Sequence, residues 1–263
     1  MTNRTTRVAI IITVAVLVIV GIVVGVRYLH RGTPSVEPSP VPVSDSPVPS
    51  YEPTDQYGSP EPGLPRGQAI AGGGGTTTGP AGMPLGYGHD ETGAVNAATN
   101  YLMWMNSLRI TDKKTADQLA AATAADSATR QAMIESFDAV RPGMSDMSSD
   151  QPEPARGAYA IADYSPDSAL IYIWSPEVTT DKSGQTDHLW GIEAVRVVWS
   201  QDDWKLDGGL IMKSGGAAVD PADPAGDPTA EEKHSILSRT PADPGEITDT
   251  ADQSWFEYSN APH

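Results

Sequence analysis

The chain has no cysteine, which excludes a disulfide framework and any thiolate metal site. Positive charge is also scarce, with 17 Lys/Arg against 34 Asp/Glu and a net charge of −17. Beyond residue 31, Lys113-Lys114 is the only adjacent basic pair. Direct nucleic-acid binding needs a basic patch that displaces counterions, so it is not expected. No HExxH zinc motif and no GxSxG nucleophile elbow occurs, and His89, His188, His234 and His263 lack metal-ligand spacing. Lys182-Ser183-Gly184 and Lys213-Ser214-Gly215 resemble one box of the penicillin-binding enzymes, but no Ser-x-x-Lys stands upstream, so they read as turns. These absences predict no catalytic residues, no cofactor and no metal, hence no enzyme.

One stretch lacks charge altogether. Val8 to Val26 is a Val/Ile-rich run of 19 residues. At ~1.5 Å per residue it reaches roughly 28 Å, close to the hydrocarbon core of a bilayer. A cleaved signal peptide has a shorter apolar region and a small-residue cleavage site, whereas Arg27-Tyr28-Leu29-His30-Arg31 follows here. The run predicts an uncleaved transmembrane helix. Arg4 and Arg7 precede it and Arg27 and Arg31 follow it, so charge bias alone does not set orientation. Long domains translocate largely regardless of charge, which places residues 1–7 in the cytoplasm and the acidic remainder outside the cell membrane. Gly21 and Gly25 form a GxxxG spacing, a candidate helix-dimer contact, although glycine is common in membrane helices.

The 23 prolines and 25 glycines gather outside the middle of the chain. Ten prolines fall within residues 32–65, as in Pro38-Ser39-Pro40-Val41-Pro42, which reads as an extended spacer. Gly72 to Gly75 and Gly79-Pro80 read as a flexible joint. A phosphate cradle would need a strand before the glycines, and here a proline-rich stretch precedes them. The division is therefore 1–7 tail, 8–26 transmembrane helix, 27–80 linker, 81–215 α+β domain and 216–263 acidic low-complexity tail.

Within 81–215, Val95, Ala98, Tyr101, Leu102, Met105 and Leu108 recur at helical spacing behind Asp90 or Thr92 as cap. Thr111 can cap a second, alanine-rich helix. Ser127 begins a third that carries Met133, Ile134, Phe137 and Val140 and stops at Pro142-Gly143. Met144 to Pro154 reads as loop. Four runs rich in Val, Ile, Tyr and Trp then predict strands: 158–164, 169–174, 190–199 and 204–212. The fold class expected is α+β, three helices packed on a curved four-stranded antiparallel sheet.

Candidate chemistry is thin. Asp202 and Asp203 are adjacent, so on a strand they would face opposite ways, and in a turn both would be solvated. Asp163 and Tyr164, at a strand end, form a candidate polar pair for a pocket, against the simpler reading of a satisfied strand-end aspartate. In the tail, Thr229-Ala230-Glu231-Glu232 is a capping box. Trp255, Phe256 and Tyr258 are out of keeping with a disordered tail and are candidates for docking on the domain or on a partner.

Two stretches carry a family resemblance. "VRVVWSQDDWKLDG" looks like the final hairpin of the cystatin-like cone of the nuclear transport factor superfamily. "GYGHDETGAVNAATNYL", residues 86–102, is similar to the first helix of single-pass proteins in actinobacterial conjugation and secretion clusters, relatives of the bitopic assembly subunit of type IV secretion systems. The resemblance covers about residues 81–212 and concerns the fold more than function. It implies a membrane-integral, non-enzymatic scaffold with itself and other envelope or secretion subunits as partners. The alternative it leaves is a small-ligand binder or enzyme of the same fold, using the space between helices and sheet.

Overall fold

The computed structural model describes residues 63–208, 220–239 and 250–262. The expected membrane helix, with Gly21 and Gly25, and most of the spacer lie outside the described residues. Among the described residues, no helix is long and apolar enough to cross a membrane.

The elements in order are β1 (Thr77–Thr78), β2 (Pro84–Leu85), α1 (Glu91–Met105), α2 (Lys113–Thr123), α3 (Ser127–Val140), β3 (Met147–Pro152), β4 (Ala158–Ser165), β5 (Ser168–Asp181), β6 (Thr186–Ser200), β7 (Asp203–Leu206), α4 (Ala230–Leu237) and β8 (Trp255–Phe256). β1 and β2 form a small antiparallel pair. The main sheet is six-stranded and antiparallel, in the order β7-β6-β5-β4-β8, with β3 also paired to β5.

This overturns the expected three helices on a four-stranded cystatin-like sheet: the described residues hold four α-helices and six strands in the main sheet, and strands dominate. The added strands come from sequence with little strand character. β3 is Met-Ser-Ser-Asp-Gln-Pro, read as loop because none of its residues is β-branched or aromatic. It is held as a strand by the long β5, whose first half pairs with β4 and whose second half pairs with β3. Pro176 lies between the two stretches, after Trp174 and before Glu177, where the missing N–H breaks no ladder bond to either neighbour. β8 comes from the acidic tail and pairs with the other edge of β4.

Alternation along β5 and β6 gives the sheet two buried faces. Ala169, Ile171 and Ile173 with Val195 and Val197 join the core formed with α1, α2 and α3. Tyr172, Trp174, Trp190, Ile192 and Ala194 face the opposite way and join a second core with Ile236 and Leu237 of α4 and with Trp255. A sheet buried on both faces explains why β5 and β6 read as nearly continuous apolar runs.

Helix α1 begins at Asp90, whose side chain accepts the Gly93 N–H. Gly93 through Leu102 are all buried, far more than an amphipathic stripe would bury. The reason is the glycine segment assigned to the linker, which packs along the helix instead of flexing. Asn96 Oδ1 accepts from Ile70 N at 2.8 Å and Asn100 Nδ2 donates to Gly73 O at 2.8 Å. Gly74 has φ +84°, and a Cβ there would lie 2.1 Å from Asn96 Nδ2, so only glycine fits. The folded unit therefore extends past residues 81–215 at both ends.

Candidate functional site

The hairpin β6–β7 turns through Gln201 and Asp202, both with positive φ (57° and 58°), a two-residue loop of the twist that antiparallel strands favour. Asp202 is exposed, but Asp203 is 6 % exposed and is not solvated as the sequence suggests. Its carboxylate accepts from Gly86 N (3.1 Å), Tyr87 N (2.9 Å) and Trp204 N (3.0 Å), and from the buried Lys205 Nζ (3.1 Å). Lys205 Nζ also donates to Ala122 O at the end of α2. Around this knot Trp204 Nε1 donates to Gly88 O, Tyr101 Oη donates to Trp204 O, and His89 stacks on Trp199 at 3.9 Å. The arrangement uses a carboxylate to fasten the entry of α1 to the hairpin. With every oxygen engaged by fixed donors, Asp203 is a structural anchor.

The more reactive groups are elsewhere. On the helix-facing side of the sheet, Glu177 is in phase with Ile171 and Ile173, and Glu193 is in phase with Val195 and Val197. Asp150 of β3 stands opposite Thr179, diagonal to Glu177. Asp150 and Glu177 are hydrogen-bonded side chain to side chain, and the charge of Glu193 acts on Glu177. Asp150 is 7 % exposed. The residues Glu177 and Glu193 keep some exposed surface while their carboxyl groups are enclosed by protein.

Burial pushes Asp150 up to about 6 and Glu193 up to about 8. Burial and then the neighbouring Asp150 and Glu193 carboxylates raise Glu177 well above the usual range. Two carboxyls this close cannot both ionise cheaply, so the Asp150–Glu177 pair holds one proton between them. Chemically the trio can store and release protons near neutral pH. Among the described residues no group of His, Asp and Glu is arranged to hold a metal ion.

Other candidate residues are scattered. Asp163 is exposed, beside a register shift in β4, while Tyr164 is half-buried with its ring 6.3 Å from that of Trp204. They do not form a pocket pair. Trp255 and Tyr258 are 4 % and 0 % exposed, and Phe256 stacks on Tyr159 at 5.8 Å. Tyr258 Oη and Thr99 Oγ1 are 2.9 Å apart. The segment offered as a partner contact therefore packs on the chain's own core through Trp255 and Tyr258, with Phe256 half-buried beside them. Next to it, Gly67 N donates to Glu257 O, Ser259 N donates to Ala69 O, and Asn260 brackets the Ala71 backbone. The chain thus enters and leaves the domain side by side.

Arg156 latches residues 224–227 of the tail. It donates to Asp227, Glu153 and the Gly226 carbonyl, and lies over the Trp190 ring, whose Nε1 donates to Pro224 O. Sequence reasoning missed the acid trio and this latch. The trio had a signal, since Glu177 and Glu193 occupy core-phase positions of apolar strands; the latch had none.

The model of one family, described as a domain of unknown function (DUF8175), matches residues 68–223, more than half of the chain. The chain belongs to that family. The match takes in β1 through β7 and stops before α4 and β8, which complete the fold from outside it. No curated protein and no solved structure matches the chain.

Proposed function

We propose that this DUF8175 member is a membrane-anchored, non-enzymatic assembly subunit of a conjugation or type IV-like secretion apparatus. Residues 8–26 anchor it in the cell membrane with residues 1–7 in the cytoplasm. The proline-rich spacer holds the domain outside, where it contacts its own copies and other envelope subunits. The observation that carries this reading is that the chain itself covers both faces of its sheet, one with α1, α2 and α3 and the other with α4 and Trp255. Such a domain offers its outer surface to partners, and its interior is committed to holding shape. The resemblance of residues 86–102 supplies the kind of apparatus.

A second reading, a small-ligand binder or enzyme working between helices and sheet, is favoured by one observation: the Asp150–Glu177 pair, with Glu193 beside it, has the raised pKa values that general acids need. Complementation of a deletion strain separates the two. The scaffold predicts that Asp150→Asn/Glu177→Gln/Glu193→Gln keeps DNA transfer or secretion, whereas removal of residues 1–31 abolishes it. Loss of transfer in the folded triple variant would favour the enzyme.

A further inference from the structure

An open surface depression of about 490 Å³ lies between α2 and α3, lined by Lys113, Lys114, Asp117, Gln118, Ala121 and Arg130. Three of the six lining residues are cationic and one is acidic, in a chain whose net charge is −17. Asp117 is taken up by Lys113, whose Nζ lies 2.9 and 3.0 Å from its two oxygens. Asp112, the nearby α2 cap, accepts the Thr115 N–H at 2.8 Å and feels Lys114 only as a charge. Lys114 and Arg130 make no ion pair among the described residues.

Two cations without carboxylate partners line this depression together with Gln118, and their combined charge suits an anion. The geometry points to a site for a phosphate group. Arg130 supplies a planar fork suited to bidentate contact with phosphate oxygens, Lys114 a point charge, and Gln118 a neutral donor. The excess negative charge of the whole chain does not cancel this, because charges farther than the ~8 Å screening length at physiological salt contribute little. The phosphate could belong to a soluble or polymeric phosphoester or to a lipid headgroup.

The absence of native cysteine makes a single-site probe clean. The full chain carrying Ala121→Cys, labelled with an environment-sensitive dye, is placed in phosphatidylcholine nanodiscs and titrated with inorganic pyrophosphate. A second preparation uses nanodiscs containing phosphatidylglycerol. A saturable dye response to pyrophosphate supports a soluble or polymeric source, and a response to phosphatidylglycerol supports a lipid headgroup. In either case Lys114→Glu/Arg130→Glu should weaken binding about tenfold or more, while Lys182→Glu, on the β5–β6 turn, should not. No response in either arm, or a response unchanged by the double reversal, overturns the site.

Discussion

Asp203 Oδ1 accepts the backbone N–H of Tyr87 at 2.9 Å across 116 residues of chain, and Oδ2 holds the buried Lys205 ammonium at 3.1 Å. This one carboxylate joins the segment entering α1 to the last hairpin of the sheet, and through Lys205 to the end of α2. Truncating it strands two or three buried N–H groups and a buried cation. Asp203→Ala should therefore cost about 3–5 kcal/mol, with Asp203→Asn, which keeps one accepting oxygen, costing less. Denaturant unfolding of the full chain in detergent measures this. A loss below about 1 kcal/mol for the alanine variant would remove Asp203 from its anchoring role.

The acid trio makes stability depend on pH with a definite sign. Asp150 and Glu193 sit near 6 and 8 in the folded chain, above their ordinary carboxyl values, and Glu177 is also raised. Between the unfolded and folded values the folded state holds protons that the unfolded state has released. Stability therefore falls as pH rises from about 4 through 8, by an amount on the order of a few kcal/mol, and the loss is complete above the folded values. Glu177→Gln should flatten that slope and raise stability at pH 8. A melting temperature that climbs from pH 5 to pH 8, or a slope the variant leaves intact, would contradict the arrangement.

Trp255 is 4 % exposed and completes the second core against Tyr172, Trp174 and Trp190. Trp255→Ala should cost about 3–5 kcal/mol. Deletion of residues 220–263 should uncover that apolar face and produce strong binding of a hydrophobic dye. A truncated chain that keeps the melting temperature of the full chain and stays dye-silent would mean the tail is dispensable to the fold.

The turn at Gln201-Asp202 holds two non-glycine residues at positive φ. Asn-Gly suits such a loop better, so Gln201→Asn/Asp202→Gly should raise stability by about 0.5–1 kcal/mol, read as a higher denaturant midpoint. A destabilised double variant would show that the Gln201 or Asp202 side chain contributes more than its backbone strain costs.

How far the sequence exposed this fold varied with how local the cause was. The Asp90 cap, the start of α3 near Ser127 and the hairpin at 200–203 are set by neighbouring residues and were readable. β3 was not, because Ser148, Ser149 and Gln151 become strand only when the distant residues 177–181 offer them a ladder. The glycine run was misread because its packing depends on Asn96 and Asn100, on a helix 20 residues further along. The tail looked disordered by composition, yet a few side chains, Ile236, Leu237, Trp255 and Tyr258, suffice to bind it to the sheet. The acids of the trio lie 16 to 43 residues apart and meet only through strand register, although the core phase of Glu177 and Glu193 was visible in the sequence.

The central claim is that the domain is a tethered assembly subunit. Photo-crosslinking in native membranes, from residues on the exposed face of α3 such as Arg130 and Glu135, tests it most directly. The account predicts covalent products with a second copy of the chain and with subunits of a conjugation or secretion apparatus, all lost when residues 1–31 are removed. Crosslinks to no such subunit, or the same products from the unanchored chain, would contradict it.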